Sequence, residues 1–494
     1  MPGSKPPQGR SGASLASTAR LQFLTTAARS AVLFAFQWLL ARVYGASIFG
    51  LCNTAQAGMQ TATMLGRAAG DTVVLRGESD GPQAGSGALV SGTTLSLVGG
   101  AAAAAALMGW GAYFSRGQDN AGLLTAFAVA AAAVPPATAL FPLGAGLQQQ
   151  GRFRAYALVV TLLDPLVRLA TLAIAAILGA PWWWGMLAFV VGAIAALATT
   201  SVLLRHSLRG HPARIAAPGQ HLRVITFSSL TSVAAALQTA MFFVALTVAT
   251  SVGTPDDAGQ LAAATRVTVL ALWIQNAYAT PFLPRIPHLV RQADRHSDLQ
   301  AMYDRVVTSV LWFNGPFLVG LVLAAPGILA LFGDEFARGA VLLGVLAVGQ
   351  WVNSATALAE DFLPLSGRSD VAIVNNAAAL GLTAIGGILL GRHFGLLGVA
   401  SAYAGAVVLL NGVRAYQLWS LFRVSIPVGT IGRSALACGG TVITAALLPV
   451  RLGRPIVASL GVGLCGAIIA LAVMYSLASL PERLALKALV RGVD

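Results

Sequence analysis

The chain has 494 residues, 56% of them hydrophobic and 10% charged, with a mean hydropathy of +0.76. No soluble globular class has that composition, whereas a polytopic membrane protein does. The formal net charge of +14 would suit nucleic acid, but the positions of the cations along the chain argue against it.

Residues 1–17 are polar and rich in Pro, Gly and Ser, which predicts a disordered cytoplasmic tail and no cleavable signal peptide. Apolar runs of about 20 residues set between turn signals then predict fourteen helices. They fall near 20–42, 47–69, 88–113, 120–146, 154–179, 183–205, 222–249, 258–282, 302–324, 338–362, 372–391, 396–417, 430–449 and 455–479. The fold class expected is an all-α polytopic membrane protein. Two six-helix lobes of like orientation, 18–210 and 211–425, would surround a central cavity. Helices 13 and 14, within 426–480, would stand outside both lobes, and 481–494 would be a second cytoplasmic tail. Cys52, Cys438 and Cys465 all lie in apolar spans and read as small buried hydrophobes.

An even helix count places both termini on one side, and the basic residues say which. Of 31 Lys and Arg, 21 fall in the termini and even-to-odd loops and six on the opposite face, leaving four inside spans. By the positive-inside rule both termini are cytoplasmic. The basic excess is therefore a matter of topology and lipid headgroups, with no nucleic-acid partner. Internal similarity supports the two lobes. Gln150-Gly151-Arg152 joins helices 4 and 5 as Ser366-Gly367-Arg368 joins 10 and 11, and Phe49-Gly50 opens helix 2 as Ala258-Gly259 opens helix 8. Six helices separate each pair, so the repeats insert in the same direction.

Helix 2 organises the functional reading. Asn53, Gln56, Gln60, Thr63 and Arg67 recur at spacings of 3 and 4, with Asp71 four residues further on. Such residues share one helix face, which hydrocarbon cannot satisfy, so the stripe should line a wet cavity. Arg29, Arg67, Arg168 and Arg266 all fall within spans; an arginine near a helix centre costs roughly 3 kcal/mol on insertion scales. Asp164 and Arg168 form an acid-first i,i+4 pair next to Pro165. The pair would either lock a bent helix or serve coupling and ligand binding. Arg67 would snorkel, pair with Asp71, or act as the end of the polar row. Arg29 and Arg266 lack an acid within a turn, which leaves a cavity role or a carboxylate on another helix. Asn276 and Trp273 lie on the Arg266 face. Helix 7 adds Ser228, Thr231 and Gln238, and helix 10 adds Gln350, Asn353 and Glu360. A groove lined by guanidinium groups, amides and hydroxyls suits a phosphate-bearing polar cargo.

Other chemistries are missing from the sequence. There is no phosphate-binding loop ending in Gly-Lys-Ser/Thr, and the six histidines show no paired ligand spacing, so no cofactor and no metal is expected. Asp256-Asp257 and Asp334-Glu335 read as helix-start caps. No external loop is large enough to carry an extramembrane catalytic site, which counts against an enzyme such as a membrane polymerase or ligase.

"LLARVYGASIFGL" (39–51) followed by "GDTVVLR" (70–76) resembles the first two helices of bacterial polysaccharide flippases. These belong to the multidrug/oligosaccharidyl-lipid/polysaccharide exporter superfamily. "LQQQGRFRAYALV" (147–159), "FGDEF" (332–336), "LPLSGRSD" (363–370) and "HFGLLGVASAY" (393–403) fit the same pattern in order, so the resemblance covers about 18–425. It implies a two-lobed alternating-access flippase for undecaprenyl-pyrophosphate-linked sugar repeat units, located in the bacterial cytoplasmic membrane. Family members line a cationic cavity with arginines of the first helices of each lobe, which by position are Arg29, Arg67 and Arg266. Sugars would meet Gln56, Gln60, Asn53 and Asn276. Asp164, Arg168 and Asp71 would be coupling or structural partners. The partners implied are a polyprenyl-pyrophosphate-linked glycan, membrane lipids, a polysaccharide polymerase and glycosyltransferases. The alternative within the superfamily is a lipid II flippase. Those usually carry a denser basic run where this chain has "MLGRAAGD".

Overall fold

The computed structural model describes residues 12–67, 70–71, 74, 82–116, 121–208, 218–292, 296–447, 456–479 and 482–483. Residues 1–11 and 484–494 of the expected tails, and the side chains of Gln22 and Ser228, lie outside what is described. Every described regular element is helical. This is the only open-ended architecture that satisfies each backbone N–H and C=O inside hydrocarbon.

The helices are α1 (12–44), α2 (46–66), α3 (Pro82–Arg116), α4 (Ala121–Gln149), α5 (153–177), α6 (Trp183–Leu208) and α7 (Pro218–Val252). They continue as α8 (255–279), α9 (His296–Leu323), α10 (Ala340–Thr356), α11 (369–394), α12 (396–422), α13 (Val428–Leu447) and α14 (Ile456–Leu477). Eleven helical runs among the described residues are long and apolar enough to cross a membrane. Two of these runs turn at a kink, between α1 and α2 and between α11 and α12. With these divided, and with α8, which is interrupted at Val269, the fourteen expected helices are all present. The protein is a multi-pass membrane protein.

The kinks are at Gly45 (φ 77°, ψ 177°) and Gly395 (φ 59°, ψ −143°). The expected connection over 43–48 is thus a single residue, a backbone state open to glycine and strained for other residues. The repeated tripeptides form the same turn twice. Gly151 and Gly367 take φ 68° and 88°, and the next N–H bonds back across the helix end, Arg152 to Leu147 O and Arg368 to Leu363 O, each at 2.9 Å. This is the Schellman closure of a helix C-terminus, followed at once by α5 and α11.

The chain divides into two compact units. One comprises Met1–Gln37, Ala62–Gly111 and Phe127–Ser229; the other comprises Trp38–Thr61, Ala112–Ala126 and Leu230–Asp494. In the first, hydroxyls tie helices together at backbone carbonyls: Ser96 Oγ donates to Arg67 O (2.8 Å), and Thr138 Oγ1 to Ser96 O and Pro135 O (2.8 Å each). The last contact is a back-bond of a threonine hydroxyl to the carbonyl three residues earlier on its own helix.

In the second unit the start of α2 is clasped by the 331–336 turn. Ala46 N–H donates to Glu335 Oε1 at 2.7 Å, Trp38 Nε1 donates to Leu331 O at 2.8 Å, and Phe49 packs edge-on against Phe336. Glu335 therefore caps a helix start, but that of α2 rather than its own. Thr254 and Asp257 form the capping box of α8. The Gly50 and Gly259 motifs meet each other: a Cβ on Gly50 would lie 2.7 Å from Gly259 N, so only glycine permits this approach of α2 and α8. Glu335→Ala should weaken the α2 start by about 1 kcal/mol, seen as a lower thermal midpoint in detergent without loss of insertion.

α13 and α14 pack on α9 through Trp312, Val319, Ala437, Cys438, Ala470 and Met474. Cys52 and Cys438 are buried as expected, but Cys465 is exposed on α14. A thiol is apolar enough to face acyl chains, so an apolar span did not imply a buried position.

Candidate functional site

The four arginines inside spans have four different surroundings. Arg67 is neutralised locally: its Nε donates to Asp71 Oδ1 at 2.9 Å and its Nη2 pairs with Asp71 Oδ2. The guanidinium also lies over the Phe141 ring, 4.7 Å from its centroid. Arg168 is likewise paired with Asp164, through Nε at 2.7 Å and through Nη2, and stacks over Phe189 at 4.5 Å. Gly192 makes room for this pair, since a Cβ there would stand 2.8 Å from Arg168 Cγ. The chain ahead of Pro165 winds as a π-helix over Tyr156–Leu163. The expected irregularity of helix 5 is thus a widened turn, a feature that often marks functional positions.

Arg29 is exposed and makes no hydrogen bond or ion pair among the described residues. It lies within electrostatic reach of Arg168, Asp164 and Tyr156. Asp164 is bonded to Arg168, so Arg29 adds an uncompensated positive charge beside that pair.

Arg266 has no acid partner among the described residues. Its Nε and Nη2 both donate to Asn53 Oδ1, at 3.3 and 3.1 Å. The plane lies 5.5 Å from the Phe242 ring centroid. Asn53 Nδ2 donates to Phe49 O at 3.0 Å, which fixes the amide with its oxygen toward Arg266. The partner left open between a carboxylate and a cavity is therefore a neutral amide. It orients the guanidinium and leaves its charge standing. A carboxylate at this position would neutralise the guanidinium, which an amide does not.

The other expected residues are scattered around this contact. Gln56 is buried, Gln60 is half-buried, and Asn276 is exposed beyond the Val269 break of α8. Of the expected set, the structure brings together Arg266 with Asn53, Arg67 with Asp71, and Arg168 with Asp164 and Arg29. A further polar cluster was missed. Arg414, which was not among the four arginines expected inside spans, is buried in α12 at 4% exposure. It pairs with Glu360 at 3.6 Å and donates through Nη2 to Asn376 Oδ1 at 3.0 Å. Gln238 also donates to Glu360, so α7, α11, α12 and the short helix Ala359–Leu365 share one polar centre. The spacing of Asn411, Arg414 and Gln417 on one helix face was the available signal.

No protein-family model and no curated protein matches the sequence. Solved structures do match the fold. The lipid II flippase MurJ, in an inward closed conformation, aligns with a TM-score of 0.68 at 13% identity, covering 93% of this chain and 98% of that one. An inward-facing multidrug resistance MATE family transporter of the MOP superfamily gives 0.61 at 14% identity, over 80% and 94%. A MOP superfamily transporter from Pyrococcus furiosus, described as having a binding pocket of reversed polarity, gives 0.58 at 15% identity, over 82% and 93%. The chain has the fold of MOP superfamily membrane transporters.

Proposed function

We propose that this protein is a flippase that moves undecaprenyl-pyrophosphate-linked oligosaccharide units across the cytoplasmic membrane by alternating access. The observation that carries this reading is Arg266, a cation inside a membrane helix whose fixed partner is an amide rather than an acid. Such a group is costly unless an anion visits it. Arg29, unpaired in the first unit, supplies a second positive station. An apolar cavity of about 400 Å³ among α9, α10 and α13, walled by Leu318, Val319, Val322, Val348, Val442 and Ile443, suits the hydrocarbon tail of such a cargo. A drug cation would find the wrong charge at Arg266 and Arg29.

A second reading, lipid II as cargo, is favoured by the likeness to MurJ over nearly the whole of both chains. Both cargoes present a pyrophosphate on a polyprenyl tail, so the same arginines serve either. Arg266→Ala or Arg29→Ala should abolish translocation while the protein still inserts at normal levels. Normal surface glycan in both variants would reject the flippase reading. Depletion separates the cargoes: lysis through failed peptidoglycan synthesis marks lipid II, and growth without surface glycan marks an oligosaccharide carrier.

A further inference from the structure

The guanidinium of Arg266 has two forks of donors. Asn53 Oδ1 takes the side fork, Nε and Nη2, and nothing among the described residues takes the end fork of Nη1 and the second Nη2 hydrogen. Phe242 lies over the guanidinium plane and also packs against Tyr403, ring centroids 6.3 Å apart. Tyr403 is held by its ring, which packs on Met241, Ala379, Ala406 and Leu410. Its hydroxyl makes no hydrogen bond among the described residues, yet lies within electrostatic reach of Arg266. Tyr403 is half-buried, and a tyrosine hydroxyl in largely apolar surroundings ordinarily finds a partner. Asn53 and Tyr403 also hold matching places in the chain: each follows a kink glycine by eight residues, 45 to 53 and 395 to 403, and both kinks join an odd helix to an even one.

We propose that the Tyr403 hydroxyl and the open fork of Arg266 are the two donors of one half-site, which takes a single phosphoryl group. Phe242 and Asn53 hold the arginine in place. The inference rests on the pyrophosphate reading above and adds to it a residue and a geometry. A neutral hydroxyl donating to a phosphate oxygen shortens the site's reach and selects an acceptor-rich anion over a carboxylate held by arginine alone. A tetrahedral phosphoryl group presents three oxygens, so it can meet the guanidinium fork in two-point contact and the hydroxyl with its third oxygen.

The test uses the full chain in lipid nanodiscs, titrated with a polyprenyl pyrophosphate, the matching polyprenol and inorganic pyrophosphate. The wild type should bind the pyrophosphate lipid more tightly than the alcohol. Tyr403→Phe should weaken the pyrophosphate lipid about tenfold or more and leave polyprenol binding and thermal midpoint unchanged. Tyr403→Met, which also removes the hydroxyl and fills the space with a flexible apolar chain, should do the same and serves if the first variant fails to fold. Equal binding of the pyrophosphate lipid by wild type and Tyr403→Phe overturns the role of Tyr403. If Arg266→Ala still loses binding, the flippase reading survives that outcome. Unchanged binding in Arg266→Ala instead overturns both. Inorganic pyrophosphate bound as tightly as the lipid, with the same dependence on Tyr403, would support the phosphoryl half-site and identify a free anion as its ligand.

Discussion

Asn53→Asp is expected to yield a protein that inserts and melts near the wild-type temperature, the new ion pair offsetting the lost bond to Phe49 O, but no longer translocates its cargo. The substitution replaces the Nδ2 nitrogen with oxygen: it gives up the bond from Nδ2 to Phe49 O and keeps an oxygen facing Arg266 Nε and Nη2. The new carboxylate pairs with the guanidinium. At the effective dielectric of protein sites, opposite charges about 4 Å apart attract by about 4 kcal/mol. A visiting phosphate must overcome that attraction before it can use Arg266, so cargo transport should fall at least about a hundredfold. If the Arg266–Asn53 contact served only packing, the charged pair would be neutral or stabilising and transport would persist. Export measured beside thermal midpoints therefore decides between the two. Asn53→Ala makes the complementary control: it frees the guanidinium from its clamp and should lower both quantities.

The architecture was readable because hydrocarbon imposes a strict length and composition on each helix. Apolar runs near 20 residues sufficed to find fourteen helices, including α8, whose break at Val269 hides it from a simple length criterion. Local motifs were equally legible. The i,i+4 pairs Arg67–Asp71 and Asp164–Arg168 formed as spacing dictates, and Thr254 and Asp257 capped α8. Contacts between distant segments were not legible. Nothing local says that Asn53 would meet Arg266, or that Glu335 would cap a helix 289 residues away. Arg414 was misplaced for a related reason. It lies close enough to the end of its helix to be counted with the positive-inside cations, and only tertiary packing against Glu360 and Asn376 reveals it as buried. Gly50 and Gly259 carried a signal that was read as repetition alone. Repeats in a membrane protein recur where two backbones touch, because small residues permit that approach, and here the two copies touch each other.

Asp164→Ala is expected to destabilise the first unit by about 3 kcal/mol, the lower end of the cost of stripping one partner from a buried ion pair. The pair is mostly enclosed, with side-chain exposures of 13% for Arg168 and 15% for Asp164. The remaining partner of Arg168 would be the Phe189 face, and the nearby charge of Arg29 would then repel it with no carboxylate between them to offset it. An apolar double replacement, Asp164→Leu with Arg168→Met, removes both charges and should recover most of the lost stability, since apolar pairs of similar volume often match buried ion pairs. The double variant then separates two roles that the single variant confounds. If it transports normally, the pair serves only to hold α5 in its widened turn beside Gly192. If it folds but does not transport, the Asp164–Arg168 pair beside Arg29 belongs to the working cycle. Thermal midpoints and export measured on the same three proteins give the answer directly.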